Sequence, residues 1–406
     1  MELNLGYKQT EAGVIPEEWQ ISYVGVEFDI KLGKMLDAEK NIGVPKLYLG
    51  NRAVQWGKID ISDLASVRLS HSDLSRFRLK KGDLLVCEGG EVGRAAIWEA
   101  PLPECYYQKA LHRLRPIKKY DPLLMLYVLM YWSDRGKLTN YVTQTSIAHL
   151  TREKFEVVPL LLPPLPEQRA IAAALSDMDA LLAAQDQLIA KKRDIKQAVM
   201  QQLLTGKQRL AGFSGEWELK RMEEIFDITA GSSKSRYIKD VGRYLVVDMG
   251  SISIEGKLIA SKPTNYFGDF LKRGDLVMPK DDIGGGNIIG KVAYIDKDQE
   301  YVLGDHVYAL KAKMGNSLFL SYAINSHTIN SALRKKVSGS AQLGLGRKSV
   351  EEQHILFPSP DEQTAIAAVL SDMDAEIDAL QQRRDKTQML KQGMMQELLT
   401  GRTRLV

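Results

Sequence analysis

The chain has 406 residues, 44% apolar and 26% charged, which suits a soluble protein of two to four domains and excludes a fibre or a disordered tail. Lys and Arg total 55 against 51 Asp and Glu, a formal charge of +4 that permits an anionic partner without demanding one. Two cysteines, Cys87 and Cys105, and six scattered histidines supply neither a disulfide framework nor a zinc site.

In chain order, the opening residues are polar and acidic and lack the pattern of a secretory signal, so a cytoplasmic protein is expected. Residues 1–165 read as a first globular domain of mixed α+β type. Asp83-Leu84-Leu85-Val86 and Ala95-Ala96-Ile97-Trp98 predict strands between Gly-rich loops, and Asp121-Pro122 opens a helix. That helix holds the longest clean apolar run, residues 123–132, about half of what a membrane span needs.

Residues 166–210 read as one long helix. Pro166 suits the first helical position, Gly206 a left-handed terminator, and Lys207 and Arg209 the negative helix end. Apolar residues recur at steps of four and three: Ile171, Leu175, Met178 and Leu182, then Ile189, Val199 and Leu203. Residues 211–358 form a second α+β domain, with strands expected near Tyr244–Val247 and residues 292–295 and a helix after Asn316.

Residues 359–406 repeat the long helix. Ser359 caps it, Pro360 opens it, and Glu362 is expected to reach back as a capping box. Ile366, Leu370, Met373, Ile377 and Leu380, then Met394 and Leu398, carry the seam, with Gly401, Arg402 and Arg404 at the end. A 3.5-residue period held for about five heptads is coiled-coil patterning. Polar seam residues (Gln185, Lys192 and Lys196; Arg384, Thr387 and Lys391) fix register at some cost in stability. At 1.5 Å per residue each helix spans roughly 60 Å. The plain alternative is two separate amphipathic helices, each packed on its own domain.

Self-similarity ties these segments together. Glu167-Gln168-Arg169-Ala170-Ile171-Ala172-Ala173 returns as Glu362-Gln363-Thr364-Ala365-Ile366-Ala367-Ala368, and both copies run to Leu-Leu-Thr-Gly. About 25 of 44 positions match at an offset of roughly 195. Weaker echoes lie upstream: Glu18-Trp19 with Glu216-Trp217, and Gly82-Asp83-Leu84 with Gly274-Asp275-Leu276. The chain is a duplicated protein whose halves share a framework and differ in most of what hangs on it.

No catalytic motif survives inspection. The Gly285–Gly290 loop with Lys291 has phosphate-loop spacing, but Val292 stands where Ser or Thr is required and a strand follows. Gly344-Leu345-Gly346 lacks the third glycine of a dinucleotide site. Pro163-Pro164-Leu165-Pro166 lacks the Asn or Asp and aromatic that would hold an adenine amino group. A fused methyltransferase or nuclease would need such features. A coiled-coil scaffold without DNA function would not.

Basic and polar loop residues do fall at matching places. Lys31 and Lys34 answer Lys234 and Arg236, and Arg94 answers Lys291. Gln144 and Thr145 precede the first long helix as Ser340 and Gln342 precede the second, with Arg347 and Lys348 just after. These residue types bond to phosphates and base edges. Each alone fits a solvated surface residue; together, on a common scaffold, they fit two different half-sites.

The chain resembles the specificity (S) subunits of type I restriction-modification systems along its whole length. The motifs are Gly6-Tyr7-Lys8-Gln9-Thr10 and Gly13-Val14-Ile15-Pro16-Glu17-Glu18-Trp19, Leu162-Pro163-Pro164-Leu165-Pro166-Glu167-Gln168, Asp361-Glu362-Gln363, and the two Leu-Leu-Thr-Gly endings. The second copy departs in reading Pro358-Ser359-Pro360-Asp361, which keeps the helix start. The resemblance implies two pseudo-two-fold-related target recognition domains separated by antiparallel conserved helices. It implies double-stranded DNA as ligand, two modification subunits as partners, and two restriction subunits as optional further ones. S-adenosylmethionine, ATP and Mg would sit on those partners, none on this chain, which would position an N6-adenine methyltransferase without doing chemistry. The helix starts, Glu167, Gln168, Ile171, Leu175, Met178 and Leu182 with Glu362, Gln363, Ile366, Leu370, Met373 and Ile377, would form the helix-pair and subunit interface.

Overall fold

The computed structural model describes residues 6–10, 13–37, 39, 41–144, 148–283, 285–339 and 343–405. The chain divides into two compact units, residues 1–185 with 383–406, and residues 186–382.

The two larger sheets of the first unit are made of β1 (Phe28–Leu32), β2 (Val44–Leu49), β3 (Ser66–Leu69), β4 (Leu84–Cys87), β5 (Ala95–Ile97), β6 (Tyr106–Tyr107) and β7 (Leu111–Pro116). An antiparallel sheet runs β5-β4-β7-β1, and a second sheet runs β6-β2-β3 with β6 parallel to β2. Register places Leu114 opposite both Ile30 and Leu84. Period two then sorts β4 between two cores. Leu84 and Val86 join one with Phe28, Ile30 and Trp19, while Leu85 and Cys87 join the other with Trp98 and Tyr107. Both faces are covered, so the strand is apolar throughout.

Helix α1 (His71–Arg76) is closed by a Ser70–Asp73 capping box. Helix α2 (Pro122–Asp134) starts on Asp121, whose carboxylate accepts from the Leu123 and Leu124 amides. The long helix α3 (Leu165–Leu203) begins one residue ahead of Pro166, because the Pro164 carbonyl accepts the Gln168 amide at 3.0 Å. Its Ile171, Ala172 and Leu175 enter the first core, which also takes Met395, Leu398 and Leu399.

Burial sets a pH limit on this unit. His112 of β7 is fully buried, its Nε2 bonded to the Leu150 carbonyl at 2.7 Å and its Nδ1 without a partner among the described residues. Burial holds its pKa below the ordinary 6.5. The unfolded chain therefore binds the proton first as pH falls, so stability is full above 6.5 and declines below it. Urea unfolding at pH 7.5 and 5.5 is expected to show that decline, and His112→Gln to flatten it. An unchanged slope in the variant would assign the decline to other groups.

The second unit repeats the plan with β8 (Phe226–Ala230), β9 (Tyr244–Val247), β10 (Lys262–Thr264), β11 (Leu276–Pro279), β12 (Ala293–Tyr294), β13 (Tyr301–Leu303) and β14 (Val307–Ala312). Its sheets run β12-β11-β14-β8 and β10-β9-β13, the same orders and senses as in the first unit. Leu276 and Met278 face one core and Val277 the other. Helix α4 (Ser317–Asn325) follows the Asn316 cap. Helix α5 (Pro360–Leu399) contributes Ile366, Ala367 and Leu370 to a core shared with Leu203 and Leu204 of the α3 end.

The first unit thus holds the α3 start against the α5 end, and the second holds the α3 end against the α5 start. The long helices pack antiparallel. Both end on glycines in the left-handed region, Gly206 (φ +68°) and Gly401 (φ +71°), as the sequence requires of a helix terminator.

Candidate nucleic-acid interface and its anchoring junctions

Each domain is latched to the helices by a buried carboxylate. In the first unit Glu167 accepts from the Trp19 indole at 2.8 Å and from Arg404 Nη2 at 2.8 Å. In the second, Glu362 accepts from the Trp217 indole at 2.9 Å and from Arg209 Nη2 at 2.6 Å, with Arg209 Nε on its other oxygen. Here the structure corrects the sequence reading twice. Ser359 Oγ does accept the Glu362 amide at 3.4 Å, but the Glu362 carboxylate is occupied by Arg209 and Trp217 instead of closing a capping box. Arg209 and Arg404, expected to serve their own helix ends, reach the start of the other long helix.

The neighbouring glutamines do a second job. Gln168 accepts the Asp121 amide at 2.9 Å and donates to the Pro163 carbonyl at 2.9 Å; Gln363 does the same with Asn316 and Pro358, both at 2.8 Å. The repeated Glu-Gln pair therefore locks the helix start to the domain and to the first turn of its α helix.

A third device sits farther along. Tyr127 donates to Asp179 at 2.8 Å, and Lys391 reaches the other Asp179 oxygen at 2.5 Å while lying over the Tyr127 ring. Tyr322, Asp374 and Lys196 repeat this at 2.7 and 2.6 Å. Burial and then the acceptor carboxylate push both phenol pKa values up, so the hydroxyls stay protonated donors. Seam lysines are thus satisfied by specific partners, and Gln185 donates to Thr387 at 3.2 Å. Of the expected apolar seam, Ile171, Leu175, Leu182, Ile366, Leu370 and Ile377 are buried and Met178 and Met373 half-buried.

The loop cations divide into two kinds. Lys34 meets Asp73 at 2.8 Å and Lys234 meets Asp269 at 2.8 Å, equivalent struts between the loop after the first sheet strand and the segment after β3 or β10. Lys234 is buried there. Arg94 bonds Glu91 and the Asn51 carbonyl, and Lys291 donates to the Asn325 carbonyl at 3.2 Å. Burial, then Arg334, lowers the Lys291 pKa. These four shape loops. Lys31 is half exposed, 3.4 Å from Asp29; Arg347 is exposed beside Glu351, and Lys348 is 86% exposed. Arg236 is exposed over the Tyr237 ring. Thr145, Ser340 and Gln342 lie outside the described residues, as does the side chain of Gln144, whose backbone pairs with Ala148.

The Trp19/Trp217 echo is visible in the sequence without its partners, and the Tyr127–Asp179 and Tyr322–Asp374 pairs are not. Matching Arg209 with Arg404 and Asp179 with Asp374 at the same offset was the available signal. Among the described residues no group of three His, Cys, Asp or Glu could hold a metal, and no described helix is long and apolar enough to cross a membrane.

Two copies of one module, each latched to both long helices and each carrying its own loops, define a tandem recognition protein. Residues 16–191 and 214–388 both match the type I restriction modification DNA specificity domain. The chain belongs to that family: it is a DNA-binding specificity subunit of a type I restriction-modification system. It is 25% identical to the type I restriction enzyme MjaVIII specificity subunit of Methanocaldococcus jannaschii, over 98% of this chain and 96% of that one. It is 22% identical to the EcoKI specificity subunit of Escherichia coli K12, over 92% and 85%. The S subunit from M. genitalium has the same fold, with a TM-score of 0.60 at 16% identity over 98% of both chains.

Proposed function

We propose that each unit reads one half of an asymmetric, bipartite double-stranded DNA target, and that the antiparallel helices set the interval and dock two modification subunits. The observation that carries this is one strand order and one set of latches beneath dissimilar loops: a capped helix follows β3, whereas an aromatic loop follows β10. A common chassis with different tips suits two half-sites of different sequence. Lys31, Arg236, Arg347 and Lys348 are the solvent-facing cations for phosphate or base contact, with Gln144, Thr145, Ser340 and Gln342 as polar readers. Lys34, Lys234, Arg94 and Lys291 hold the loops in shape.

Leu181, Leu188 and Ile195 repeat at seven residues on α3 and are each about two-fifths exposed, an apolar stripe suited to a protein partner. The N6-adenine methyl transfer belongs to that partner with its S-adenosylmethionine. Purified chain with labelled S-adenosylmethionine and DNA is expected to transfer nothing until a modification subunit is added, and the complex to bind DNA with a steep loss of affinity as salt rises. Transfer by the chain alone, or binding indifferent to salt, would contradict the reading.

A further inference from the structure

The second unit carries an aromatic tip that phosphate contacts do not explain. Phe267 is 82% exposed, in the loop that follows β10. Val241, also 82% exposed, stands on the adjoining loop, tied to it by the Arg243 amide donating to Asn265 Oδ1 at 3.0 Å. Burying neither leaves a solvent-facing apolar tip that a folded chain does not need.

The tip is rigidly mounted. Phe267 stands edge-on to Phe270 at 5.2 Å, and Phe270 edge-on to Tyr244 at 4.8 Å. Gly268 (φ +148°) and Asp269 (φ +48°) turn the chain through left-handed backbone, and the ion pair from buried Lys234 to half-exposed Asp269 holds that turn. Lys234 also lies over Tyr266, which packs on Tyr237 at 4.8 Å. Around the tip, residues 234–243 and 264–270 carry four cations and two carboxylates. Arg236, Lys239 and Arg243 are exposed and face no carboxylate among the described residues, with Arg236 and Arg243 lying over Tyr237 and Tyr244. A cationic rim attracts phosphates, and an apolar wedge inside such a rim is suited to enter a base step and unstack it.

We infer that Phe267 is a wedge that inserts between base pairs of duplex DNA in the half-site read by the second unit, with Lys234 as a positioning residue that holds it erect. The inference rests on the proposed DNA reading. The first unit places the helix α1 at the equivalent strut, so no such wedge enters its half-site.

The test uses the complex of this chain with its modification subunits and duplexes of its methylated motif carrying 2-aminopurine at successive positions. Binding is expected to raise fluorescence at the adenine flipped for methylation in each half, and at one further step in the second unit's half with no such further step in the other. Phe267→Ala should abolish that further rise and weaken binding about 10-fold, whereas Phe267→Trp should keep both. Because the side chain is exposed, neither substitution threatens the fold. Tight binding without the further rise would overturn the wedge alone. Loss of subunit assembly by Phe267→Ala without DNA would overturn it in favour of a protein contact. A wild-type complex that binds no duplex would overturn the wedge and the DNA reading together.

Discussion

Glu362→Gln is expected to destabilise the second unit by about 3 kcal/mol while leaving the first unit close to its original stability. The carboxylate is 1% exposed and accepts from three donors, two of Arg209 and one of Trp217. A glutamine amide presents one acceptor and turns its own donors toward the guanidinium. Breaking a buried pair by removing one partner costs about 3–5 kcal/mol. Arg209 keeps a quarter of its side-chain surface in water, which places the expected loss at the lower end. Hydrogen exchange resolved by residue checks this: protection should fall in β8, β11 and β14 and hold in β1, β4 and β7. Glu167→Gln should show the converse pattern, through Trp19 and Arg404. Equal loss in both sets of strands, or none in either, would remove the latch from the account.

These latches also show how far a sequence can be read. The long helices were legible because a 3.5-residue apolar period and a copy matching at about 25 of 44 positions can be read along the chain without knowing what packs against it. The strand at Tyr244–Val247 was legible as a short apolar run rich in β-branched residues. The partners of Glu167 and Glu362 were not, since Arg404 lies 237 positions from Glu167 and nothing local ties them. Charge near a helix end has an ordinary local explanation, and that explanation took Arg209 and Arg404. The partners of the loop lysines were hidden for a different reason. Lys34 and Lys234 look like surface cations until the chain brings Asp73 and Asp269 against them. Pairing of that kind depends on loop paths, which composition and periodicity do not encode. Phe267 went unremarked because a single aromatic is ordinarily core, and only its exposure gives it meaning.

Replacing residues 214–358 by a second copy of residues 16–163 is expected to yield a folded chain whose target is an inverted repeat. The incoming domain brings its own Trp19 to the Glu362 that now meets Trp217, and its Asp121 amide to Gln363 where Asn316 donates. Arg209 remains in place on the other side of the latch. On the proposed bipartite reading, each half of the target belongs to one unit, so two identical units meet two copies of one half-site. The same half-site would then be read on opposite strands, at the original interval because the helices are unchanged.

Genome-wide mapping of methylated adenines in cells holding this chain and its modification subunits is the direct measurement, made for the wild-type chain and for that duplicated variant. A split motif with two unlike halves is expected for the first, and for the second the retained half facing its own inverted copy across an equal gap. A variant map with both halves new, with the halves in direct repeat, or with the original motif intact would contradict the bipartite reading.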